Sequence, residues 1–314
     1  MMTTPETYSF PAYLSAKKSV DERALNRSVW HSLAQALPES TLRNPLKVLE
    51  VGCGIGAMLQ RMVDWELLTC AEYQGLDDMP ENIAFARQSV LSWAQANGWQ
   101  VNVREDGLEL SRGERWLSIR FEARDLFDFI AAQTGAPEGF DLLVAHAFLD
   151  LLDIPASLPH LLGLLRPGGL YYFPINFDGV TLLEPLIEPE LDAALIRAYH
   201  DSMDARLTGG KPSGDSQAGR HLFHNLAQCG AGILAAGSSD WVVFPHQGTY
   251  PADEAYFLHF ILHFFETTLT GRPGIDGGRL AGWLSERHAQ VERGELVYIA
   301  HQLDFCGRVG ADGE

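Results

Sequence analysis

A glycine-rich turn and two later carboxylates have the residue types and the spacing of a nucleotide-binding site. Gly52, Gly54 and Gly56 directly follow residues 46–51, which have the aliphatic and β-branched character of a strand buried on both faces. Glycine suits such a turn because it has no side chain to oppose a sharp bend or the close approach of a ligand. Asp77 comes about two dozen residues later, where an α/β nucleotide-binding fold offers a carboxylate to the hydroxyls of a ribose.

The two carboxylates belong to different predicted strands. Asp77 ends the second strand, although it has an alternative interpretation as a helix N-cap because Pro80 suits the first position of a helix. Asp78 or Met79 could cap that helix and leave Asp77 free. Asp125 follows the third core strand. The carboxyl ends of parallel strands meet at one edge of a sheet, where open α/β folds bind their ligands, so we expect the two carboxylates to lie near each other.

The elements that must position these residues alternate along the chain. Strand-like runs and helical apolar patterns follow one another over residues 46–175, which predicts an α/β fold with a doubly wound, mostly parallel sheet. Residues 101–121 predict a hairpin inserted ahead of the third core strand. We divide the single domain into an N-terminal arm and helix, a core, a helical insert that covers the substrate, and C-terminal strands with an inserted aromatic helix. These segments are residues 1–45, 46–176, 177–237 and 238–314.

Composition restricts the partners that this chain could bind. Its 314 residues are 46% apolar, which is enough for a substantial core. The 41 acidic and 23 basic residues give a net charge of −18, which opposes binding to nucleic acids and to anionic membranes. The four cysteines form no Cys-x-x-Cys pair, and no signal peptide or membrane-spanning segment is recognisable. We therefore expect a cytoplasmic protein with a small-molecule substrate.

Two further segments have apolar patterns with open interpretations. Residues 19–22 have the form of a capping box followed by an apolar stripe, which predicts one helix. The aromatic residues 8–14 either fold over a ligand as a lid or pack on the domain as an arm. Residues 252–269 predict an aromatic helix, buried in the core or in a homodimer interface. His259 and His263 lie one turn apart on it, but without an evident third ligand we expect no metal site.

Five short motifs resemble, in order, those of the class I S-adenosylmethionine-dependent methyltransferases, which have a Rossmann-like fold. They are Leu-Glu-Val-Gly-Cys-Gly-Ile-Gly at 49–56, Gly-Leu-Asp at 75–77, Ala-Arg-Asp-Leu at 123–126, Phe-Asp-Leu-Leu at 140–143 and Leu-Arg-Pro-Gly-Gly-Leu at 165–170. The match covers about residues 46–176, and the order of the motifs makes it specific. The resemblance implies a seven-stranded sheet, S-adenosylmethionine as cofactor and in-line methyl transfer to an acceptor.

The resemblance also implies which residues bind the cofactor. Glu50 would help to bind the ammonium of the methionine end, Asp77 would bridge the ribose hydroxyls, and Asp125 would accept a hydrogen bond from the adenine amino group. His146 would lie near the sulfonium as the one candidate catalytic residue, although a purely structural role at the sheet edge is an equal alternative. The implied cofactor-binding residues are Glu50, Gly52, Cys53, Gly54, Asp77, Asp78, Met79, Asp125, Leu126 and His146.

The substrate side of the sequence matches no subfamily. No Asn-Pro-Pro-Phe type of motif follows the fourth strand, so an amide or nucleobase N-methyltransferase is not expected, and the helices before the last strand predict an altered pairing of the last two strands. Tyr13, Asn176, Arg220 and His221 are the candidate substrate contacts. One alternative function is an NAD(P)-dependent oxidoreductase, and another is a non-catalytic scaffold that binds adenosylmethionine. Glu50 favours the methyltransferase, because dinucleotide folds normally have an apolar residue there.

Overall fold

Ten strands join into one sheet in the computed structural model, which describes residues 4–5, 7–133, 139–208 and 210–310. They are β1 (Leu46–Val51), β2 (Cys70–Asp77), β3 (Gln100–Arg104), β4 (Gly107–Arg112), β5 (Arg115–Ala123), β6 (Phe140–Ala145), β7 (Leu165–Glu184), β10 (Gly232–Ser238), β11 (Trp241–Val243) and β12 (Val297–Arg308). Two short strands, β8 (Leu207–Thr208) and β9 (Lys211–Pro212), pair separately.

Helices cover the sheet and connect its strands. They are α1 (Phe10–Ala24), α2 (Arg27–Ala36), α3 (Ala57–Asp64), α4 (Pro80–Ala96), α5 (Leu126–Gln133), α6 (Ile154–Leu162), α7 (Pro189–Asp204), α8 (Ala218–Gln228), α9 (Glu254–Leu269) and α10 (Gly277–Glu292). None of the helices in the described ranges is long and apolar enough to cross a membrane. The sequence pattern also predicts a helix that carries Arg220 and reaches Cys229, and a last helix over about residues 278–291; α8 and α10 confirm both.

The sheet has the strand order β10-β12-β7-β6-β1-β2-β5-β4-β3, with β11 added alongside β12. Strands β1, β2, β5, β6 and β7 are parallel, and β12 runs antiparallel to both of its long neighbours. The predicted doubly wound, mostly parallel α/β fold is confirmed, but the sheet has ten strands instead of seven. The difference arises because the predicted hairpin, β3 with β4, extends one edge and β11 pairs with the first part of β12.

The last two long strands are direct neighbours, so the prediction of an altered pairing is wrong. Gly232 lies opposite Arg308 and Ser238 opposite Leu303 in an antiparallel ladder. The chain leaves the sheet after β11, forms α9 and α10, and returns in β12, so that the inserted helices do not disturb the ladder. The single strand predicted over residues 238–245 is instead divided between β10 and β11.

The N-terminal region forms two helices where the sequence pattern predicted one. Helix α1 begins at Phe10 with Pro11 in its first turn. A backbone N–H in the first turn has no acceptor within the helix, so the missing N–H of proline removes no hydrogen bond there. The Asn26 side chain then caps α2 by accepting hydrogen bonds from the backbone N–H groups of Ser28 and Val29 at 3.0 and 3.1 Å. The capping box at residues 19–22 was a wrong prediction, because those residues lie in the interior of α1.

The aromatic helix α9 belongs to the core of a single chain. Phe257 is fully buried, and the ring of Tyr13 on α1 stacks on Phe260 with 4.5 Å between ring centroids. Helix α9 also packs against α7 and α10, and Nδ1 of His259 lies 2.7 Å from Nδ1 of His288 on α10. Much of its aromatic face is thus used within the chain, and the homodimer interface through residues 252–269 stays a prediction.

The insert after the fifth core strand begins later than the sequence predicts. The helix predicted from Leu182 starts at Pro189, because β7 continues to Glu184 and pairs with β12 over this stretch. Helix α7 then leads into the β8–β9 hairpin, and Gly209, part of the predicted loop, lies outside the described residues. The backbone N–H of Gly214 donates to the carbonyl of Leu152 at 3.2 Å, which attaches this segment to the turn after β6.

Candidate functional site

A cavity of about 870 Å³ lies at the carboxyl ends of the central parallel strands. Three parts of the chain surround it: the turns that follow β1, β2, β5 and β6, the inward face of α1, and the segment around β8 and β9. Its volume is within the range of small-molecule sites, and open parallel sheets bind their ligands at this edge. The cavity is therefore the candidate site, and its lining can be compared with the residues that the sequence predicted.

The glycine turn after β1 lies directly on this cavity. Gly52 and Gly54 have φ values of +64° and +53°, which side-chain-bearing residues rarely adopt. A Cβ on Gly52 would overlap the ring of Phe148, and one on Gly54 would lie 3.0 Å from a methyl group of Leu14. The backbone N–H of Cys53 donates to a carbonyl at the end of β2 at 2.8 Å and fixes the turn against the sheet. The predicted turn residues Gly52, Cys53 and Gly54 all line the cavity.

Asp77 lies at the end of β2 with its carboxylate on the cavity wall. Its Oδ2 accepts a hydrogen bond from the backbone N–H of Gly54 at 2.9 Å. Its Oδ1 accepts from the backbone N–H of Met79 and from the side-chain amide of Asn82, both at 3.0 Å. Burial is the main cause that raises the pKa of this carboxyl above its ordinary value. A carboxylate offers about four acceptor positions, so Asp77 can bind further hydroxyl groups while it holds the glycine turn in place.

The next strand brings Asp125 to the same wall. Its Oδ1 accepts hydrogen bonds from the backbone N–H groups of Phe127 and Asp128 at 2.8 and 3.0 Å, whereas its Oδ2 has no partner within the described part of the chain. The backbone N–H of Leu126 opens α5, where first-turn N–H groups lack an intrahelical acceptor. Together with Met79, these residues form a pocket in which Oδ2 of Asp125 can accept a hydrogen bond and the backbone N–H of Leu126 can donate one. Asp78, as predicted, also lines this part of the cavity.

His146 follows β6 and enters a group of buried charges contributed by α1. Its Nε2 lies 3.2 Å from Oδ2 of Asp21 without the alignment of a hydrogen bond. Lys17 lies one turn earlier on α1, with its Nζ 3.1 Å from the same oxygen. Burial, followed by the charge of Lys17, lowers the pKa of His146 to about 4, so its imidazole is neutral at physiological pH. Burial opposes ionisation of Asp21, but Lys17, His146 and Arg61 together hold its pKa below the ordinary value.

The backbone at Ala147 is left-handed, and both neighbours of this residue, His146 and Phe148, line the cavity. Ala147 has a φ of +51°, which is uncommon for a residue with a side chain, and its N–H donates to the carbonyl of Pro174 at 3.0 Å. The turn places His146 on one side and Phe148 on the other, and both line the cavity. Strained backbone of this kind is held by the surrounding structure and is common at functional sites.

Glu50 lies behind the cavity, where the sequence prediction placed it in contact with the cofactor. Its side chain is 1% exposed, and its Oε2 accepts a hydrogen bond of 2.6 Å from the hydroxyl of Tyr73 on β2. Burial raises the pKa of Glu50 to about 8, so it is mainly neutral at pH 7 and cannot act as a fixed anion for an ammonium group. The reason is the neighbouring strand: Tyr73 on β2 supplies the partner of the Glu50 side chain, and Glu50 is not among the residues that line the cavity.

None of the four predicted substrate contacts lines the cavity. Tyr13 is buried in the packing of α1 against α9, and the amide of Asn176 donates to backbone carbonyls of β7 and β12 at 2.7 and 2.9 Å. Arg220 pairs with Asp178 at 2.8 Å, and Nδ1 of His221 lies 2.6 Å from a carboxylate of the preceding loop. The side chains of Arg220 and His221 and the amide N–H groups of Asn176 thus have partners within the protein, whereas the buried Oδ1 of Asn176 has none among the described residues. The role of these four residues as substrate contacts stays a prediction.

The structure adds site residues that the sequence did not indicate. From α1 come Lys17 and Asp21, and from the segment around the β8–β9 hairpin come Arg206, Lys211 and Ser213. The i, i+4 spacing of Lys17 and Asp21 was a usable signal, but the capping-box interpretation assigned that stretch to a helix start. The hairpin residues had no sequence signal, since a loop rich in glycine and serine is usually a solvated connection. No group of three or more potential metal ligands occurs within the described ranges.

Comparison with known proteins finds similarity only at the level of solved structures. No family model matches the sequence, and no curated protein matches it. A proposed type II methyltransferase from Anaeromyxobacter dehalogenans is 17% identical with a TM-score of 0.47, and 92% of this chain covers 98% of that one. A proposed sarcosine dimethylglycine methyltransferase from Galdieria sulphuraria is 13% identical with a TM-score of 0.43, over 97% of this chain and 92% of that one.

A third similar structure is a phosphoethanolamine N-methyltransferase from Haemonchus contortus, at 13% identity and a TM-score of 0.45, over 98% of this chain and 61% of that one. All three identities are below 25% and all three TM-scores are below 0.5. Such likenesses assign neither a substrate nor a reaction to this chain, so its function must be inferred from its own site.

Proposed function

We propose that this protein is an S-adenosylmethionine-dependent methyltransferase that acts on a small-molecule acceptor by in-line transfer. One observation carries the proposal: the same cavity is lined by a carboxylate suited to a ribose and by a buried Lys–Asp pair. Asp77 supplies the first, and Lys17 with Asp21 supplies the second. A nucleoside joined to an amino acid has the complementary groups, because its amino acid end carries both an ammonium and a carboxylate.

The lining residues fit each part of this cofactor. Asp77 retains acceptor capacity for ribose hydroxyls, and Asp125 has a carboxylate oxygen with no partner among the described residues. The first-turn N–H of Leu126 is the complementary donor for a ring nitrogen. Asp21 remains ionised beside the cavity and can bind an ammonium, whereas Lys17 can bind a carboxylate. The pair favours adenosylmethionine over a dinucleotide, whose pyrophosphate would be repelled by Asp21.

The bound cofactor would supply a methyl group that its sulfonium already activates, which leaves the protein to orient the reactants and to exclude water. Helix α1 does the second task, since Phe10 and Leu14 close the cavity above the glycine turn. Phe148 packs against Gly52 and fixes one wall of the reaction space. In-line transfer requires the acceptor atom to approach from the side opposite the sulfur, and we propose that the part of the cavity lined by the β8–β9 hairpin provides this space.

His146 is the candidate proton acceptor for an acceptor group that must lose a proton. It is neutral at physiological pH, and because its Nε2 lies 3.2 Å from the ionised carboxylate of Asp21, Nδ1 is the nitrogen that can accept a proton. Asp21, 3.2 Å away, would stabilise the imidazolium after proton transfer. Replacement of His146 by asparagine should therefore lower kcat with little effect on cofactor affinity, in contrast to a purely structural role.

Calorimetric titration with S-adenosylmethionine, S-adenosylhomocysteine, NAD⁺ and NADP⁺ tests the cofactor. We expect binding of the two adenosyl compounds and no measurable binding of the dinucleotides; the reverse order of affinities would indicate the oxidoreductase. Incubation with methyl-labelled cofactor and a metabolite extract, followed by mass spectrometry, tests the reaction. Binding of the cofactor without any labelled product would favour the scaffold.

A further inference from the structure

We infer that the part of the cavity beyond His146 binds an anionic group, so that the methyl acceptor is a small acid with a carboxylate or phosphate group on an apolar body. This inference rests on the proposed function, because it assigns the other end of the cavity to the cofactor. Here this region is called the outer cavity, and it is formed by the turn after β6, the start of α6 and the β8–β9 hairpin. Its lining residues used below are Leu151, Leu152, Asp153, Arg206, Lys211 and Ser213.

Backbone hydrogen bonds hold the parts of the outer cavity together. The backbone N–H of Ser213 donates to the carbonyl of Arg206 at 2.9 Å and closes the base of the hairpin. The N–H groups of Gly214 and Asp215 then donate to carbonyls of the turn after β6 at 3.2 and 3.1 Å. These bonds join the hairpin to the turn that carries His146 and Phe148. The two cations of the hairpin are thus held against the same cavity as the candidate reaction centre.

Arg206 and Lys211 give the outer cavity a positive charge in a strongly acidic protein. The chain has a net charge of −18, yet no carboxylate among the described residues lies within 4.0 Å of either side-chain cation. Other partly exposed arginines, such as Arg279 and Arg293, do pair with carboxylates. Two cations that face a cavity without a protein counterion are complementary to an anionic ligand.

Two neighbouring carboxylates, Asp150 and Asp153, form no ion pair with these cations within 4.0 Å. Asp153 lines the outer cavity, but its Oδ1 caps α6 by accepting a hydrogen bond from the N–H of Ala156 at 3.2 Å. Asp150 lies behind the wall, where burial raises the pKa of its carboxyl to about 6 despite the opposing charge of Arg206. Asp150 is therefore partly neutral near pH 6, and it forms no ion pair with Arg206 within 4.0 Å.

The hydrogen-bond donors and the apolar residues of the lining indicate the chemistry of the ligand. An arginine side chain offers parallel N–H donors that match a carboxylate or a phosphate. Oγ1 of Thr208 lies 2.7 Å from Oγ of Ser213, and this bond uses only one of the two hydroxyl hydrogens, so one can donate to an anion. Leu151 and Leu152 add apolar surface to the same cavity. A ligand with an anionic end and an apolar body would place its other end at the reaction centre.

Calorimetry on the protein saturated with S-adenosylhomocysteine tests this inference with three probes of one length: hexanoate, hexyl phosphate and uncharged hexanamide. We expect at least one anion to bind about tenfold or more tightly than hexanamide, and the double variant R206Q/K211Q to lose this preference. The better anion identifies the carboxylate or phosphate class. The matched control is Arg43→Gln, which removes an exposed cation distant from the cavity and should leave the preference unchanged.

Several results would overturn the inference: equal binding of the three probes, no binding of either anion, or an unchanged preference in the double variant. The single variants R206Q and K211Q, each expected to reduce the preference, replace the double variant if it does not fold as judged by circular dichroism. Affinity for S-adenosylhomocysteine is measured in every protein. Normal cofactor binding without anion binding refutes the anion site in the outer cavity and leaves the proposed function intact. Absent cofactor binding by the wild type refutes the proposed function.

Discussion

Replacement of Asp77 by asparagine should weaken cofactor binding more than any other single change of similar size. The carboxylate accepts three hydrogen bonds of 2.9 to 3.0 Å from the protein and would accept further ones from a ribose. In asparagine one oxygen becomes an NH₂ group, which cannot accept the hydrogen bond from Gly54 or those from Met79 and Asn82. The substitution therefore disturbs the glycine turn and the ribose site together.

The expected magnitude follows from the bonds that are lost. A hydrogen bond to a charged group contributes about 1.5 to 3 kcal/mol, and about 1.4 kcal/mol corresponds to a tenfold change in affinity. Loss of one such bond to the ribose should raise the dissociation constant of S-adenosylhomocysteine roughly tenfold to a hundredfold. Loss of the bond to Gly54 should also lower the free energy of unfolding by about 1 to 3 kcal/mol. Removal of a buried charge partly offsets this second loss, because burial already raises the pKa of Asp77.

The assay is calorimetric titration of S-adenosylhomocysteine, accompanied by urea unfolding of the same samples. Glu81→Gln is the matched control, because it removes one negative charge from an exposed residue four positions further along the chain that does not line the cavity. It should change the dissociation constant by less than about threefold. If folded Asp77→Asn bound the cofactor within about twofold of wild type, or if the control lost as much affinity, the ribose site would be misplaced.

Three further substitutions test other parts of the structure. Glu50 has a folded pKa of about 8, above its unfolded value, so its contribution to stability is present at acid pH and is lost as the pH rises through about 8. Glu50→Gln removes this titrating group. It should therefore flatten the pH dependence of the free energy of urea unfolding between about pH 5 and 8, by up to roughly 1.4 kcal/mol per pH unit. Asp192→Ala leaves the buried Arg287 without its counterion and should cost about 3 to 5 kcal/mol of unfolding free energy, whereas a loss below about 1 kcal/mol would contradict a buried ion pair. Gly52→Ala introduces a Cβ that overlaps the ring of Phe148 at a positive φ, so we expect a lower melting temperature and weaker cofactor binding; calorimetric results equal to wild type for both would disprove the packing at this turn.

The sequence was sufficient to predict the sheet and the grouping of the glycine turn with two carboxylates at its edge, because both depend on local patterns. Gly52, Asp77 and Asp125 lie at or just after the carboxyl ends of predicted strands. Once the strands are parallel and adjacent, the residues after their carboxyl ends must share one edge. The structure indeed brings Asp77 within hydrogen-bond distance of the glycine turn at Gly54. No long-range information was needed for this half of the site.

The other half could not be predicted in this way, because it depends on contacts between distant segments. Asp21 becomes a site residue only when α1 lies across the cavity, where Arg61, His146 and the indole N–H of Trp241 surround its carboxylate. Glu50 failed for the opposite reason: a local motif assigned it to the ligand, but the neighbouring strand supplies Tyr73 as its partner. A motif fixes the position of a residue along a strand, and the packing around that strand decides what its side chain contacts.

The two parts of the site depend on different parts of the fold. The sheet edge alone supplies the carboxylates for a nucleoside, whereas Lys17 and Asp21 reach the cavity only while α1 is packed against α9 and the sheet. Within α1 the same helix carries Phe10 and Leu14, which close the cavity above the glycine turn. The charges that suit an amino acid group and the apolar residues that exclude water are thus on one element. Closure of the cavity and recognition of the methionine end should therefore occur together, so a change that loosens α1 should weaken both at once.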